Sequence, residues 1–359
     1  MCKFVLEITA ILLSASSIGI SQQVPAPQSG ALAPDKPIVA LAPAPARITL
    51  DVLVKNKHGT PAGDLEPFDL SLLDNGKPAK ILNFRRTDGT KGNQFDPPEQ
   101  LILVLDVVNL PYEAISRQRL ELERFLRQDG GNLPIPTSVF LFNNHGLQVQ
   151  PVPSRDGNAM AAALDQAKGT IRARDITGGV YSLAEQFQDS FKTVNGIAEN
   201  MVRRPGRKLI VWIGPGWPLL TERYFIQTNE SKQSYFNQLA SLTRKLREAR
   251  ISFYSVAPIV GATPVLWQGY RKPVLEARKM EIGYFALQVL AEHSGGFAHD
   301  PDNDLVEQIN DCLKDVGTYY TITFAAPLAA QPNEYHDLKV QVKTADMTVR
   351  TSSGYYNQP

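Results

Sequence analysis

Cysteine is scarce in this sequence, with two residues in a chain of 359. Cys2 lies in an apolar N-terminal segment, so Cys312 stands alone in a chain from which that segment is removed. One cysteine cannot form an internal disulfide, and the fold must therefore rest on its hydrophobic core. Cys312 lies among apolar residues at helical spacing. We expect it to be a small buried residue rather than a catalytic thiol.

An excess of one charge sign is also absent. Lysine and arginine number 37 against 36 acidic residues, which gives a formal net charge of +1. No overall field favours nucleic acid or an anionic membrane, and no aromatic residues interleave with a long basic run. We therefore expect no nucleic-acid partner. The five histidines are scattered, and His293 and His299, which lie on either side of Ser294–Gly296, lack a third ligand. A surface or helix-terminal role is expected for both.

Long apolar runs are confined to the N-terminus. Lys3 precedes an apolar core, Ile8–Ile20, that is too short to span a bilayer comfortably, and residues 1–22 are therefore predicted to be a signal peptide. An ordinary buried helix is the alternative, because Glu7 precedes the core and no clean cleavage site follows. Residues 23–46 are rich in proline and alanine and predict a semi-rigid linker. We expect an exported protein, secreted or periplasmic/cell-envelope, with no integral membrane span after the signal.

The central feature of the sequence is a continuous apolar run, Leu101–Leu105, that ends on Asp106. Such a short run predicts a strand that is buried on both faces, and a helical pattern follows directly after Pro111. Strand and helix patterns alternate over residues 99–316, which predicts an α/β domain with a mainly parallel sheet. The predicted strands are Leu101–Leu105, Ser138–Phe142, Lys208–Ile213 and Ile251–Val256, and the predicted helices span 112–127, 157–168, 182–202, 232–249, 281–293 and 302–316.

Both flanks of this domain show the two-residue alternation of β-strands. Residues 47–90 contain three such segments, which are too few for an independent core. Residues 317–359 return to the same pattern. We predict that the two flanks form one discontinuous, Ig-like β-sandwich, with the 99–316 domain inserted between them. The alternative is two separate β additions, each packed on the α/β domain.

Several motifs share their order and spacing with a known family. They are LVLDVVNLP at 103–111, PGRKLIVW at 205–212 followed by Gly214-Pro215-Gly216, AEHSGGF at 291–297 and the closing Gly354-Tyr355-Tyr356. Together with the segment that begins at Leu50, they make the chain resemble the von Willebrand factor A-related family known as the VWFA-related acidobacterial domain. The resemblance implies a von Willebrand A-like (Rossmann-type) doubly wound sheet, and it implies little about activity.

The resemblance also implies where a metal would bind. Von Willebrand A domains often hold Mg²⁺ through an Asp-x-Ser-x-Ser turn, a threonine on a neighbouring loop and a later aspartate. Asp106 matches the first position, Thr177 is the candidate threonine, and Asn109 offers an off-pattern amide oxygen. The other three positions hold residues without a side-chain oxygen: Val108, Leu110 and Gly214. Because Mg²⁺ needs several hard oxygens, we expect a degenerate site and no bound cofactor. In the alternative role, Asp106 hydrogen-bonds turn amides or caps the next helix.

A second group of acids, Asp300–Asp304, alternates as a calcium loop does. Leu305 occupies the position where an EF-hand requires glycine. Acids at the start of a helix are favoured by capping and by the helix dipole. Helix capping is therefore predicted for this group.

Three connections at the carboxyl edge of the predicted sheet, 143–146, 214–231 and 258–279, are predicted to be more than simple connectors. The last two contain the aromatic residues Trp217, Tyr224, Phe225, Trp267 and Tyr270. Because interfaces are enriched in aromatic side chains, we predict that these five residues bind a protein partner. The alternative is that the rings fold back and cover the edge of the sheet.

No nucleophile elbow, phosphate loop or H-E-x-x-H motif occurs in the sequence. The sequence therefore predicts a non-enzymatic, exported protein-interaction module, adhesion-like or scaffold in kind. The alternative is a metal-assisted hydrolase that uses Asp106. An enzyme needs several titratable groups that converge in one pocket, and only Asp106 is predicted at the ligand-binding edge.

Overall fold

The computed structural model of the protein describes residues 46–150, 152–169, 171, 179–219, 228–258 and 266–359. The predicted signal peptide and all but the last residue of the predicted linker lie outside these described residues. So do Thr177, Tyr224 and Phe225.

A seven-stranded sheet forms the centre of the described structure. Its strands are β5 (Gln100–Asp106), β6 (Asn132–Asn143), β7 (Gly146–Val149), β8 (Ser154–Asp156), β9 (Lys208–Ile213), β10 (Ile251–Val256) and β11 (Phe297–Ala298). The order across the sheet is β11-β10-β9-β5-β6-β7, and β8 also pairs with β6. Only β7 and β8 are antiparallel to their neighbour. The prediction of an α/β fold with a mainly parallel sheet is confirmed.

Helices cover both faces of this sheet. They are α1 (Tyr112–Leu126), α2 (Gly157–Gln166), α3 (Gly179–Val202), α4 (Asn229–Glu248), α5 (Leu287–His293) and α6 (Leu305–Leu313). Leu101, Leu103 and Leu105 pack with α1, α2 and α6. Ile102 and Val104 pack on the opposite side with α3, α4 and α5. The apolar run of β5 is continuous because both of its faces are buried. None of the helices in the described residues combines the length and apolar character that a membrane crossing needs.

Two four-stranded antiparallel sheets contain the strands of the flanks. In the order β14-β1-β12-β4, the first holds β1 (Arg47–Asn56), β4 (Ile81–Asp88), β12 (Thr318–Ala325) and β14 (Met347–Arg350). In the order β15-β13-β2-β3, the second holds β2 (Leu70–Asp74), β3 (Lys77–Ala79), β13 (Glu334–Val342) and β15 (Gly354–Asn357). Their apolar faces share one core, in which Val52 and Leu72 lie with Ile322 and Val340. Each sheet takes strands from both flanks.

Several elements differ from the predictions. Strand β6 begins six residues earlier than predicted, at Asn132, because Pro134 and Pro136 weaken the strand signal there. Residues 143–146 form a tight hairpin turn between β6 and β7, not a long loop. The helix predicted from residue 281 begins as a 3₁₀ turn, Ile282–Phe285, before α5. The hairpin strand β7 and the 3₁₀ turn have four residues each, which are too few for a periodic pattern.

A cluster of charged residues joins the amino edge of the central sheet to the sandwich. Arg207, which precedes β9, is 1% exposed and forms an ion pair with the fully buried Glu99, which precedes β5. Its guanidinium also donates to Ser252 Oγ at 3.2 Å, to Tyr254 Oη at 3.3 Å and to the carbonyl of Asp315 at 3.2 Å. The hydrogen-bond partners described for the Arg207 guanidinium all belong to buried residues.

A second arginine extends the cluster into the sandwich. Arg250, which precedes β10, pairs with Asp51 of β1 at 2.6 Å and also with Asp96. Asp315 contacts Lys55 at 2.6 Å and also pairs with Arg350. The two modules therefore meet through paired charges rather than through apolar surface alone.

Candidate functional site

Asp106 lies at the carboxyl end of β5, where the order of the central sheet reverses between β5 and β9. Its side chain is fully buried and accepts hydrogen bonds from two residues. Oδ1 accepts from the backbone N–H of Asn109 at 3.0 Å. Oδ2 accepts from Asn109 Nδ2 and from Trp212 Nε1, both at 2.8 Å. Three N–H donors therefore surround this carboxylate.

The donors to Asp106 are positioned by a neighbouring helix. Asn109 Nδ2 also donates to Ser190 Oγ of α3 at 2.9 Å, and Gln186 Nε2 of α3 donates to the carbonyl of Val108 at 3.3 Å. The β5–α1 turn is thus tied to α3 through polar side chains. Asn109 Oδ1 is buried and has no hydrogen-bond partner.

Burial raises the pKa of Asp106 to about 6, against the lowering effect of the hydrogen bonds from Asn109 and Trp212. No cationic side chain is among the described hydrogen-bond partners of the carboxylate. The turn therefore holds a carboxyl group whose ionised form the fold disfavours.

The donor set does not fit a magnesium site. The hydrogen bonds of Asp106 use both carboxylate oxygens, and Val108 and Leu110 bring only apolar atoms. A Cβ at Gly214 would lie 3.0 Å from Asp106 Cβ, so the site has little room for the later aspartate. Within the part of the chain that the structure describes, no three His, Cys, Asp or Glu side chains form a metal-binding group. Asp106 instead accepts hydrogen bonds from Asn109, which is the alternative in which Asp106 hydrogen-bonds the amides of the turn.

Trp217 lies in the core and not on an exposed loop surface. Its side chain is 5% exposed and packs edge-on against Trp212, with ring centroids 5.8 Å apart. Its Nε1–H donates to the carbonyl of Phe285 at 3.0 Å. The prediction that Trp217 is an accessible anchor is corrected: the ring folds back and covers the sheet, because burial satisfies both its apolar area and its polar N–H.

Trp267 and Tyr270 are half-buried and lie along α5. The Trp267 ring centroid is 5.9 Å from the guanidinium carbon of Arg271, and Arg271 Nε pairs with Glu292 Oε2 in the last turn of α5 at 2.9 Å. That turn leads into the parallel strand β11 and therefore lies toward the amino edge of the sheet. Tyr270 donates to Glu281 Oε2 at 2.7 Å. The structure thus places this segment on the flank of α5, apart from Asp106.

The accessible aromatic residue beside the β5–α1 turn is Tyr112, which the sequence analysis missed. It is the first residue of α1, and its side chain is 75% exposed. The sequence signal was a large aromatic residue immediately after Pro111, at the start of the predicted helix. Asn144 and His145, in the β6–β7 hairpin at the same edge, are also exposed.

The acidic segment that precedes α6 caps this helix. Asp304 Oδ1 accepts from the backbone N–H of Glu307 at 3.0 Å, and Asp302 Oδ1 accepts from the N–H of Asp304 at 2.8 Å. Both contacts satisfy backbone donors at the start of the helix. The prediction of helix capping here is confirmed.

The raised pKa of Asp106 predicts a pH-dependent difference between the parent and an Asp106→Asn variant. Well below pH 4 the Asp106 carboxyl group is protonated in both the folded protein and the unfolded chain. Between about pH 4 and 6 the folded protein keeps a proton that the unfolded chain has lost, so stability falls as pH rises. The variant should therefore gain about 2 kcal/mol relative to the parent between pH 4 and pH 7. Urea unfolding at both pH values measures this gain, and an unchanged difference would contradict the prediction.

Comparison with protein-family models gives no match, and comparison with curated proteins also gives none. Among solved structures, the human COPII-coat protein Sec24c is similar to this chain at 11% identity and a TM-score of 0.37. The match covers 77% of this chain and 46% of the Sec24c chain. The chain thus spans less than half the length of that protein, and similarity at this level supports no conclusion about activity or partners.

Proposed function

We propose that the protein is an exported, non-enzymatic protein-interaction module with a von Willebrand A-like core and a degenerate metal site. The observation that supports this most is the state of Asp106, whose carboxylate oxygens accept from Asn109 and Trp212. A carboxylate engaged in this way is a structural part of the turn. It is unavailable as a general base or as a metal ligand unless the turn rearranges.

The arrangement of the central sheet supports the von Willebrand A-like part of the proposal. The order β7-β6-β5-β9-β10-β11 is that of a doubly wound sheet whose first strand is β5. In such sheets, ligands bind outside the carboxyl ends of the strands, at the point where the order reverses. Asp106 and the start of α1 lie at this point.

The accessible residues at this edge suit a protein partner. Tyr112 presents a large aromatic surface, and Asn144 and His145 add exposed polar groups at the same edge of the sheet. Interfaces combine aromatic anchors with a polar rim in this way. Trp267 and Arg271 form a second aromatic and cationic patch beside α5. We assign partner binding to the carboxyl edge of the sheet around Tyr112. The Trp267 patch lies on the other face and toward the amino edge, and we assign it a separate, weaker contact.

The test is binding to a partner recovered from the cell envelope, with affinity measured for Tyr112→Ala and Trp267→Ala. Loss of a central aromatic anchor should cost about 2 kcal/mol, or more than tenfold in affinity, for Tyr112→Ala. Trp267→Ala should weaken binding less. Because no metal is required, affinity should be equal in EDTA and in millimolar Mg²⁺.

Lys339→Ala is the matched control, since Lys339 is exposed on β13 of the sandwich. It should bind as the parent does, and circular dichroism should show that every variant is folded. Loss of binding in EDTA would show that the partner requires a bound metal and would contradict the degenerate metal site. Normal binding by Tyr112→Ala together with weak binding by Lys339→Ala would place the interface on the sandwich. No described contact favours the metal-assisted hydrolase.

A further inference from the structure

Strand β7 forms one edge of the central sheet and pairs with β6 alone among the described strands. The carbonyl of Phe142 in β6 accepts from the residue after β5 at 2.9 Å, so the backbone groups of the adjacent Leu141 point the other way, toward β7. Leu141 lies opposite Gln148. The backbone groups of Leu147 and Val149, on either side of Gln148, therefore point away from β6 and out of the sheet.

The outer edge of β7 is unprotected in the part of the chain that the structure describes. Residues Gly146–Val149 include no charged side chain and no proline, two of the features that keep natural sheet edges from pairing. No described hydrogen bond satisfies the outward backbone groups of Leu147 and Val149. The Val149 side chain is 44% exposed. This edge thus presents two N–H donors and two carbonyl acceptors in the spacing of a strand.

An apolar groove lies beside this edge, between the β6–β7 hairpin and α2. Its volume is about 430 Å³. Val139 and Leu141 of β6 line it from the sheet, and Met160 and Leu164 of α2 line it from the helix. Gln148 of β7 also borders the groove. Because side chains alternate between the faces of a sheet, a strand added beside β7 would place every second side chain on the face that contains the groove.

Asp156 is the one charged residue among the described residues that line the groove. Its Oδ1 accepts from the backbone N–H of Ala159 at 2.9 Å and caps α2. No described cation pairs with the Asp156 carboxylate, whereas Asp165, further along α2, lies within ion-pair distance of Arg119 and Lys168. The groove therefore complements an apolar occupant that has a positive charge at one end.

We propose that β7 and this groove bind an extended segment of a partner protein, which adds to the sheet as a further strand. An apolar side chain of the segment enters the groove, and a basic residue pairs with Asp156. A peptide backbone supplies the alternating donors and acceptors that match Leu147 and Val149, and the groove selects the side chain. A small apolar molecule would fill the groove but leave these backbone groups unmatched. The proposal goes beyond the proposed function, because Tyr112 and Trp267 take no part in it.

The test selects peptides from a phage-displayed library of random decapeptides, with the full chain as bait. We expect the selected peptides to share an apolar residue that is accompanied by lysine or arginine. Ala163→Phe should weaken their binding by about tenfold or more, because it fills the groove from α2. Ala162→Phe is the matched control, since Ala162 is exposed on the same helix and does not line the groove. It should bind as the parent does.

Changes to the backbone separate strand addition from side-chain contact. Val149→Pro removes an outward N–H, leaves the hydrogen bonds between β6 and β7 and should weaken binding by about fivefold or more. Val149→Thr keeps the backbone and should bind as the parent does. In the peptide, N-methylation of alternate amides should abolish binding in one register and spare it in the other, with the protein unchanged.

The charge is tested by Asp156→Asn, because asparagine keeps the cap of α2 and removes the carboxylate. Binding of the selected peptides should weaken by about threefold, as expected for an exposed ion pair. High salt should reduce the difference from the parent. Circular dichroism should show that every variant is folded.

Three results would overturn strand addition. The first is a library that yields no binding peptide, and the second is equal binding by Ala163→Phe and the parent. The third is binding that depends on the groove but tolerates both registers of N-methylation, which would assign the groove to an apolar group alone. A parent dimer that Val149→Pro dissociates in sedimentation would assign β7 to a second copy instead. The test uses neither Tyr112 nor the envelope partner, so its failure is distinguishable from failure of the proposed function.

Discussion

Replacement of Arg207 by methionine should lower the free energy of unfolding by about 3–5 kcal/mol, because it leaves the charge of Glu99 buried without a partner. Glu99 is fully buried, and its Oε1 pairs with the Arg207 guanidinium. Methionine retains most of the apolar length of the side chain. The loss should therefore reflect the missing charge and hydrogen bonds more than a cavity. Urea unfolding, followed by circular dichroism, measures the change.

A double-variant cycle separates the ion pair from the rest of the cluster. Glu99→Gln alone should also destabilise, since it leaves the Arg207 cation buried with a neutral neighbour. Arg207→Met combined with Glu99→Gln should recover part of the loss, because no unpaired charge then remains. A double variant whose loss equals the sum of the two single losses would contradict direct coupling. High salt should hardly change the result, because buried pairs are poorly screened.

Arg250 gives a comparison within the same cluster. It pairs with Asp51 and Asp96 but is partly exposed, and water can therefore replace some of its contacts. Arg250→Met should cost less than Arg207→Met. If the two variants are equally unstable, the number of partners, and not the depth of burial, determines the contribution of each cation.

The local pattern of the sequence was sufficient to predict the elements with the most regular burial. The strands Lys208–Ile213 and Ile251–Val256 were predicted to the residue, because each is a short, mostly apolar segment between helical patterns. The short strands β7 and β11 were missed, since two to four residues show no period. The pairing of the flanks followed from strand count, but its register depends on contacts between residues such as Leu50 and Ile322, which no local pattern reveals.

Prediction of the candidate site was less complete. The position of Asp106 at the end of β5 follows from the pattern of apolar residues, and its hydrogen bonds in the turn were the stated alternative to a degenerate metal site. The role of Trp212 as its hydrogen-bond donor does not, because 106 residues separate the two side chains. The Arg207–Glu99 pair is likewise 108 residues apart in sequence. Composition and spacing report which groups are present, whereas the fold decides which of them meet.

The aromatic residues show the same limit most clearly. A tryptophan after a glycine turn is equally suited to an interface and to a core, since its ring is apolar and its N–H needs one acceptor. Trp217 finds that acceptor in the carbonyl of Phe285 and is buried, whereas Trp267 pairs with Arg271 and stays half-exposed. The two rings should therefore respond differently to the same substitution.

Trp217→Ala should lower the free energy of unfolding by about 3–5 kcal/mol, as truncation of a buried aromatic ring does. It opens a cavity beside Trp212 and leaves the carbonyl of Phe285 without its donor. Trp267→Ala should cost about 1 kcal/mol or less, because its ring is partly in water. Trp217→Phe should lie between them, since it keeps part of the ring and loses the N–H. Urea unfolding of the three variants gives this order.

Binding data must be interpreted together with that order of stability. A folded Trp217→Ala protein that binds its partner as the parent does would agree with a buried, structural Trp217. A Trp217→Ala protein as stable as the parent, but with weaker binding, would show that the ring is at the interface and would reverse the present correction. Trp267→Ala has the opposite expectation, with little change in stability and a measurable change in affinity. The Trp217→Ala variant therefore tests a role in the core, and the Trp267→Ala variant tests a role in the proposed interaction surface. Each variant serves as the control for the other.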